Sequence, residues 1–321
     1  MTENELTYRT LIESELQQVD EILLAAPHNV PGEVAVAIAE LVNGGGKRLR
    51  PAVALLSAHI YGADLKRALP LAAAMELLHT ATLIHDDIVD DALLRRGVRT
   101  PGARWNSKAA ILIGDLVFAW AANLAVQADS LPAMRRFAET LEVICQGELR
   151  QMFQGGYSLL QGYYERISAK TASLFTLAAE TGPLLKTSPP DDRARLRRFG
   201  EELGLAFQIT DDVLDFVSDK ETLGKPIGED LHHGLLTLPM LYYLESHPEV
   251  AQTETLLRIS SDEEALQTFM TDLRDSDAID RALETAEKHA RAASALLDIY
   301  PSSPYRDALV ELTAFAVQRR Y

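Results

Sequence analysis

Apolar residues recur at helical spacing along almost the whole chain, and this pattern constrains the fold more than any other feature. No segment alternates apolar and polar residues between turn signals, as a half-buried strand would. We therefore expect an all-α fold, a single-domain helical bundle over residues 1–321, because no low-complexity linker or repeat divides the chain. The spacing predicts helices over about 5–26, 31–43, 50–61, 66–93, 106–127, 131–154, 160–183, 190–218, 235–246, 261–273, 277–298 and 303–319.

Glycine and proline residues separate these predicted helices. Residues 44–46 are three glycines that open a turn, and Pro51 falls where a first helical turn tolerates proline. Loops are expected at 97–102 and 188–190. Residues 220–234 form the longest irregular stretch, and a long loop in a compact domain is often functional.

The longest apolar stretch, residues 109–126, approaches the length of a membrane span. Asp115 and Asn123 interrupt it, so we expect a central apolar helix that is buried on all sides. The first residues lack the basic and apolar regions of a signal peptide. We therefore expect no membrane span and a cytoplasmic location.

Charge and cysteine content exclude several classes of function. The chain has 47 acidic and 31 basic residues, a net charge of −16, which argues against a nucleic-acid partner. Its one cysteine, Cys145, allows no internal disulfide and is expected to be a small core residue.

Two acid clusters with the same spacing stand out, Asp86-Asp87-x-x-Asp90 and Asp211-Asp212-x-x-Asp215. Within each, the first and last acids share a helix face, and each cluster follows an apolar helical run. Both should therefore lie near helix C-termini, where repulsion and the helix dipole disfavour them by tenths of a kcal/mol to about 1 kcal/mol. A cation would offset that cost. Clustered carboxylates without His or Cys suit Mg2+, whose coordination is usually completed by phosphate oxygens.

Basic residues form a second kind of site. The glycine turn at 44–46 leads into Lys47, Arg48 and Arg50, where backbone N–H groups and charge-assisted donors favour an anion. Arg95 and Arg96 follow the first acid cluster, and His79 lies two turns before Asp86 on the same face. A metal-bound diphosphate on the acids and a metal-free diphosphate on the cations would explain both charge types.

Taken in order, Gly-Gly-Lys47-Arg-x-Arg50-Pro, His-Asp86-Asp-Ile-Val-Asp90, Lys170-Thr171, Phe-Gln208-Ile-x-Asp211-Asp212-x-x-Asp215 and Gly-Lys225 resemble the trans-isoprenyl (polyprenyl) diphosphate synthase family. The segment 301–320 is similar to octaprenyl diphosphate synthases in particular. The resemblance implies a polyprenyl synthetase domain, a bundle of the isoprenoid synthase type and a homodimer.

The resemblance also implies residue roles. Mg2+ on the allylic diphosphate would be bound by one cluster and approached from the opposite side by the other: Asp86, Asp87, Asp90; Asp211, Asp212, Asp215. The allylic diphosphate would contact Arg95, Lys170, Thr171, Gln208 and Lys225. Isopentenyl diphosphate would bind Lys47, Arg50, His79 and Arg96. The catalytic set is Asp86, Asp87, Asp90, Lys170, Asp211, Asp212 and Lys225, while the role of Asp91 is left open.

The implied activity is Mg2+-dependent head-to-tail addition of isopentenyl diphosphate to an allylic diphosphate such as farnesyl diphosphate. Short-chain members often carry a bulky aromatic residue just before the first acid cluster, where this chain has Ala81 and Thr82. We therefore expect a long all-trans product, destined for a quinone side chain, with peripheral membrane association through that lipid. Shorter farnesyl or geranylgeranyl products and a regulatory subunit of a two-component synthase stay open as alternatives.

Two other enzyme classes account for less of the sequence. An HD-type phosphohydrolase would use His79 and His85-Asp86 and would need further ligands from His232, His233 or His289, but it leaves the second acid cluster unexplained. A terpene cyclase needs a single diphosphate site and usually lacks a second Asp-rich copy.

Overall fold

Helices make up nearly all the regular structure in the computed structural model, which describes residues 7–25, 30–44, 47–95, 97–154, 160–217, 231 and 235–318. Within these ranges the all-α prediction is confirmed, and a two-residue antiparallel hairpin is the one sheet. The elements up to the second acid cluster are α1 Thr7–Leu11, α2 Glu13–Leu24, α3 Gly32–Asn43, α4 Leu49–Tyr61, α5 Leu65–Val89, β1 Leu94–Arg95, β2 Val98–Arg99, α6 Pro101–Arg104, α7 Ser107–Gln127, α8 Leu131–Gln154, α9 Leu160–Ile167, a π-helical turn Ser168–Ala172, α10 Ser173–Ala179, α11 Thr181–Leu185 and α12 Pro190–Val217. The remaining helices are α13 Leu238–Ser246, α14 Thr253–Ser261, α15 Glu263–Asp275, α16 Ala278–Leu296 and α17 Pro304–Gln318.

Helix α5 is the centre of the bundle. Asp64 caps it by accepting a hydrogen bond from the Lys66 amide at 3.0 Å, an interaction typically worth about 1 kcal/mol. Sixteen of its 25 residues are buried, so the helix is surrounded rather than amphipathic. Its most extensive packing is against α7, with α4 and α2 covering other sides. This burial fixes the direction in which its last turn, carrying Asp86 and Asp87, enters the site.

The prediction that the helix over 106–127 is buried on all sides is wrong. Helix α7 packs one face on α5, but Ile111, Leu112 and Val126 are exposed on its other side. In the described part of the chain it is the one helix with the length and apolar composition of a span, and 39% of its most apolar window is buried. An all-round apolar sequence does not specify which face packs within the chain.

Other differences from the predicted elements are local. Residues 97–102 form β2 and the short helix α6 rather than a plain loop, with Gly97 at φ 76° in the turn between the strands. The helix predicted over 160–183 is interrupted by the π turn, and α14 was not predicted. Cys145 is exposed on α8, contrary to the expected core position. The loop predicted at 220–234 lies, apart from Leu231, outside the described residues.

A buried carboxylate joins three helical segments of the bundle. The Glu180 side chain is fully buried and accepts hydrogen bonds from Arg136 Nε at 2.6 Å and Arg193 Nε at 2.9 Å, with Arg197 adjacent. These contacts connect α8, the α10–α11 junction and α12. The Oγ atom of Ser57 adds a bond to the Ala179 carbonyl at 2.6 Å, which fixes the same junction to α4.

Candidate active site

The first acid cluster lies in the last turn of α5, as predicted. Asp86 and Asp87 are buried, and Asp90 is the C-cap residue. The chain then reverses through Asp91, which adopts the left-handed conformation with φ 50°. The Ala92 amide bonds the Asp87 carbonyl at 2.9 Å, the Schellman pattern that ends many helices. Asp91 thus serves as the turn residue of this motif, a position that Asp tolerates better than most residues.

Asp86 and Asp87 have different partners because they lie about 100° apart around α5. The Oδ2 atom of Asp86 lies 2.9 Å from Lys170 Nζ. The Oδ1 atom of Asp87 accepts a bond from Arg95 Nε at 2.6 Å. Burial raises the pKa of Asp87 above its ordinary value, although Arg95 acts in the opposite direction. Arg95 therefore forms an ion pair with Asp87, the middle acid of the first cluster.

Glu148 on α8 is a site residue that the sequence did not reveal. Its Oε1 atom lies 3.0 Å from Lys170 Nζ, so Lys170 bridges Glu148 and Asp86. Burial raises the pKa of Glu148, with Lys170 opposing that shift. The close approach depends on the preceding glycine, because a Cβ atom on Gly147 would lie 2.6 Å from the Ala169 Cβ. A single acid on an amphipathic helix gives no pattern that could have identified it.

Lys170 and Thr171 lie in the π-helical turn between α9 and α10. Such turns are rare and often occur at functional sites. Helix α12 packs closely against this segment, since a Cβ atom on Gly204 would lie 2.5 Å from the Ala172 Cα and one on Gly200 would lie 2.5 Å from the Phe175 carbonyl oxygen. The turn therefore places two predicted diphosphate ligands between α5 and α12.

The second acid cluster lies in the last two turns of α12, also as predicted. Asp212 is buried and accepts hydrogen bonds from Tyr163 Oη at 2.7 Å and Gln208 Nε2 at 2.8 Å. Asp211 is partly exposed and Asp215 is exposed. Arg274 donates to the Phe216 carbonyl at 2.7 Å, which places a cation at the negative end of the helix.

Gln208 and Thr171, both predicted to contact the allylic diphosphate, bond to each other. Thr171 Oγ1 donates to Gln208 Oε1 at 2.6 Å. Because the Gln208 amide also donates to Asp212, it links the π turn to the second acid cluster. Burial and the Asp212 carboxylate raise the pKa of Tyr163 well above its ordinary value, so its hydroxyl stays a donor.

In the basic turn, Arg48 lies between the two predicted ligands of isopentenyl diphosphate, Lys47 and Arg50, and has a structural role. Arg48 adopts the left-handed conformation with φ 51° and precedes α4. Its guanidinium donates to Asp20 at 2.8 Å, to Glu76 at 3.1 Å and to the Val42 carbonyl at 2.8 Å. Arg48 is therefore held by α2, α3 and α5, and it fixes the backbone between Lys47 and Arg50.

Lys47 and Arg50 each lie near an aromatic ring. Lys47 Nζ is 5.3 Å from the Phe315 ring centroid, and Arg50 Cζ is 5.0 Å from that of Phe175. Both distances fall in the range of cation–π contacts. Phe315 belongs to α17, so the last described helix also borders the predicted isopentenyl diphosphate site.

Three other predicted ligands have different outcomes. His79 is half-buried on α5, two turns before Asp86. Arg96 and Lys225 lie outside the described residues, as do His232 and His233 of the phosphohydrolase alternative. The remaining histidine of that alternative, His289, bonds Glu202 Oε2 at 2.7 Å.

The predicted chain-length residues are part of the helix packing. Ala81 is 2% exposed and belongs to the main core, while Thr82 Oγ1 donates to the His79 carbonyl at 2.7 Å. A small open pocket lies on a different face of α5, toward α3 and the hairpin. Its lining includes Thr80, Asp87 and Arg95.

The acid clusters fit a hard cation that is completed by substrate oxygens. Among the described residues, no three His, Cys, Asp or Glu side chains converge as a ready-made metal cage. The Asp87 Oδ2 atom is buried and accepts no hydrogen bond from those residues. An unsatisfied buried carboxylate oxygen is costly, and a metal-bound water would satisfy it. The donor set is therefore suited to Mg2+ with phosphate ligands.

Comparisons with known proteins agree with this geometry. Residues 32–273 match the sequence profile described as Polyprenyl synthetase. The chain is 35% identical over 283 residues to octaprenyl diphosphate synthase of Escherichia coli (strain K12), covering 87% of this chain and 88% of that one. It is 40% identical over 286 residues to all-trans-nonaprenyl-diphosphate synthase (geranyl-diphosphate specific) of Rhodobacter capsulatus, covering 87% of each. It is 35% identical over 315 residues to heptaprenyl diphosphate synthase component 2 of Geobacillus stearothermophilus, covering 97% of this chain and 98% of that one.

A solved structure shares the fold along nearly the entire chain. Polyprenyl synthase from Caulobacter crescentus CB15, crystallised with calcium and isoprenyl diphosphate, superposes with a TM-score of 0.88 at 36% identity. The match covers 98% of both chains. The expectation of an isoprenoid synthase-type bundle is therefore confirmed.

Proposed function

Because this chain belongs to the polyprenyl synthetase family and is a long-chain trans-prenyl diphosphate synthase, we propose that it works with Mg2+ bound between its two acid clusters. Allylic diphosphate would bind there, and isopentenyl diphosphate would bind the basic turn. The main support for this proposal is that Lys170 lies 2.9 Å from Asp86, while the neighbouring Thr171 is hydrogen-bonded through Gln208 to Asp212. One short segment thus links both clusters.

Bound Mg2+ would stabilise the negative charge that develops on pyrophosphate as it leaves. The chain's own residues perform the remaining tasks. Asp86, Asp90, Asp211 and Asp215 would hold the metal, while Lys170 donates to the leaving oxygens. Lys47 and Arg50 would orient isopentenyl diphosphate, whose alkene supplies the electron pair for the new carbon–carbon bond.

The reaction balances without a nucleophilic side chain. The bond between C1 of the allylic substrate and its diphosphate oxygen breaks, and pyrophosphate leaves with the electron pair. A carbon–carbon bond forms, and loss of one proton from the isopentenyl unit restores a double bond. Departing pyrophosphate is an adequate base for that proton. The buried apolar surroundings of α5 exclude water that would otherwise trap the allylic cation.

The direct test is elongation by the purified full chain. Incubation with Mg2+, farnesyl diphosphate and radiolabelled isopentenyl diphosphate should give a long prenyl diphosphate, and chelation by EDTA should abolish it. Asp86→Asn and Asp211→Asn should each reduce turnover by at least about 100-fold, while Asp298→Asn on the surface should leave it unchanged. Release of phosphate without elongation would contradict the proposal. Turnover only after addition of a second protein would favour a two-component synthase, as the heptaprenyl relative's name implies for that protein.

The location of the enzyme and the use of its product extend this proposal. We propose a cytoplasmic enzyme whose product supplies a quinone side chain and brings the enzyme to membranes peripherally. Support comes from the long-chain relatives and from the small residues Ala81 and Thr82 ahead of the first cluster. Cell fractionation tests the location, and recovery in an integral membrane fraction would contradict it. Quinone analysis of a deletion strain tests the use of the product, and unchanged quinone side chains would contradict that.

A homodimer is proposed from exposed apolar residues on α7 and α8, two helices that contact each other. On α7, Leu112 is 69% exposed beside Ile111, and on α8, Phe153 is 79% exposed beside Met152 and Leu149. Contiguous exposed apolar residues on packed neighbouring helices are typical of subunit interfaces. Light scattering should give twice the chain mass of 35.4 kDa. Leu112→Glu should give a monomer, whereas Leu257→Glu, at an exposed apolar position on α14, should not. A monomeric wild type would contradict the proposal.

A further inference from the structure

Both carboxylate oxygens of Asp212, the middle acid of the second cluster, accept hydrogen bonds from the protein. Asp212 Oδ1 accepts from Gln208 Nε2 at 2.8 Å, and Oδ2 accepts from Tyr163 Oη at 2.7 Å. Asp212 is buried, whereas Asp211 is partly exposed and Asp215 is exposed. Buried carboxylates require such donors, so these two bonds determine the orientation of the Asp212 side chain.

One donor, Tyr163, comes from α9 and the other, Gln208, comes from α12 itself, but a single continuous segment of chain holds both. Tyr163 is fully buried on α9, which runs directly into the π turn. Thr171 in that turn donates to Gln208 at 2.6 Å. The hydrogen bonds therefore close a ring that runs from Tyr163 through Asp212 and Gln208 to Thr171, and back along the backbone. These bonds attach α12 to this segment at two positions, through Asp212 to Tyr163 and through Gln208 to Thr171.

We propose that Tyr163 is a positioning residue for the second acid cluster. The inference rests on the proposed metal role of Asp211 and Asp215. Successive residues of a helix lie about 100° apart, so fixing Asp212 also sets the direction of Asp211, its neighbour in sequence. Asp215 lies one turn from Asp211 on the same face and is set with it. Without the Tyr163 hydroxyl, the Asp212 carboxylate would reorient toward another donor, and the last turn of α12 would rotate or become more mobile.

The test is Tyr163→Phe, which removes one oxygen and keeps the ring. We expect the dissociation constant for Mg2+, measured by isothermal titration calorimetry with a non-reactive allylic diphosphate analogue bound, to rise about 10-fold, as for other groups that orient metal ligands. The Mg2+ concentration for half-maximal turnover should rise with it. The KM for isopentenyl diphosphate should stay unchanged, because Lys47 and Arg50 lie on α4 and the turn before it. If Tyr163 only stabilised the fold, the substitution would lower kcat by reducing the fraction of folded enzyme, and the Mg2+ dependence would equal that of the wild type.

Tyr164→Phe is the matched control. Tyr164 is the next residue, its ring centroid lies 5.5 Å from that of Tyr163, and its hydroxyl makes no bond to Asp212. Its Mg2+ dependence should equal that of the wild type. Unchanged Mg2+ dependence in Tyr163→Phe, with a shift in Asp211→Asn, would overturn the positioning role alone. No shift in either variant would instead overturn the proposed metal site.

An isosteric pair covers the case in which Tyr163→Phe fails to fold. Incorporation of 4-fluorophenylalanine at position 163 preserves the side-chain volume without a donor, whereas 4-aminophenylalanine preserves the donor. The amino derivative should restore the wild-type Mg2+ dependence and the fluoro derivative should not. Equal Mg2+ dependence of the two derivatives would overturn the proposal.

Discussion

The ammonium of Lys170 lies 2.9 Å from the Oδ2 atom of Asp86. Lys170 is predicted to bind the diphosphate and Asp86 to bind the metal, and in this structure Lys170 is the counter-ion of Asp86. Desolvation lowers the pKa of Lys170, but Asp86 and then Glu148 outweigh it, so the pKa is raised and the side chain stays charged. A metal ion bound at Asp86 would therefore compete with Lys170 and leave the ammonium available to the leaving oxygens.

Replacement of Lys170 by Gln should lower kcat by about 100-fold, because the variant loses a charged donor at the developing pyrophosphate. The KM for the allylic substrate should rise, whereas that for isopentenyl diphosphate should stay close to the wild-type value. Steady-state kinetics with each substrate varied separately would measure this. Lys186→Gln is the control, since that side chain bonds the Gly62 carbonyl instead. Equal kcat values for the two variants would contradict the assigned role.

Replacement of Glu148 by Gln should raise the Mg2+ concentration needed for half-maximal turnover. The variant removes a negative charge beside the first cluster and leaves Lys170 with Asp86 as its single charged partner among the described residues. A Mg2+ titration at saturating substrates measures the effect. Glu142→Gln lies on the same helix, where it bonds the exposed Gln146, and should show no change. A Mg2+ dependence identical to wild type in Glu148→Gln would refute the prediction.

Replacement of Glu180 by Gln should destabilise the fold by about 3–5 kcal/mol, the usual cost of breaking a buried ion pair from one side. The carboxylate is fully buried and neutralises Arg136 and Arg193 at the junction of three helical segments. Urea unfolding should show the loss as a lower midpoint. Glu139→Gln, which removes an exposed partner of Arg136, should cost less than about 1 kcal/mol. Similar midpoints for the two variants would argue against the predicted role of Glu180.

Replacement of Ala81 by Phe should shorten the product, because the added ring would occupy space just before the first acid cluster. Ala81 is nearly fully buried, so overpacking should also cost about 1–3 kcal/mol. Thin-layer analysis of dephosphorylated products would give the chain length. Ala138→Phe on the exposed side of α8 controls for added bulk. An unchanged product from folded Ala81→Phe would exclude this position as a determinant of chain length.

Local features of the site could be predicted from the sequence. The positions of both acid clusters at helix ends followed from spacing and from the apolar runs before them, which are properties of neighbouring residues. Glu148 and Tyr163 could not be predicted in this way. Glu148 reaches Asp86, 62 residues away in sequence, through Lys170, and Tyr163 bonds Asp212, 49 residues away. These contacts form only because α8 and α12 pack closely on the π turn. The exposed face of α7 was missed because apolarity does not distinguish packing within one chain from packing against another surface.

The π turn at Ser168–Ala172 places a constraint on how this sequence can vary in length. A π turn holds one residue more than the α-helical turn it replaces. Deleting any residue between Tyr163 and Leu174 would rotate one side of the segment by about 100° relative to the other. Either Tyr163 would leave Asp212, or Leu174 and Phe175 would leave the core. Natural variants of this enzyme should therefore accept substitutions in this segment far more readily than deletions.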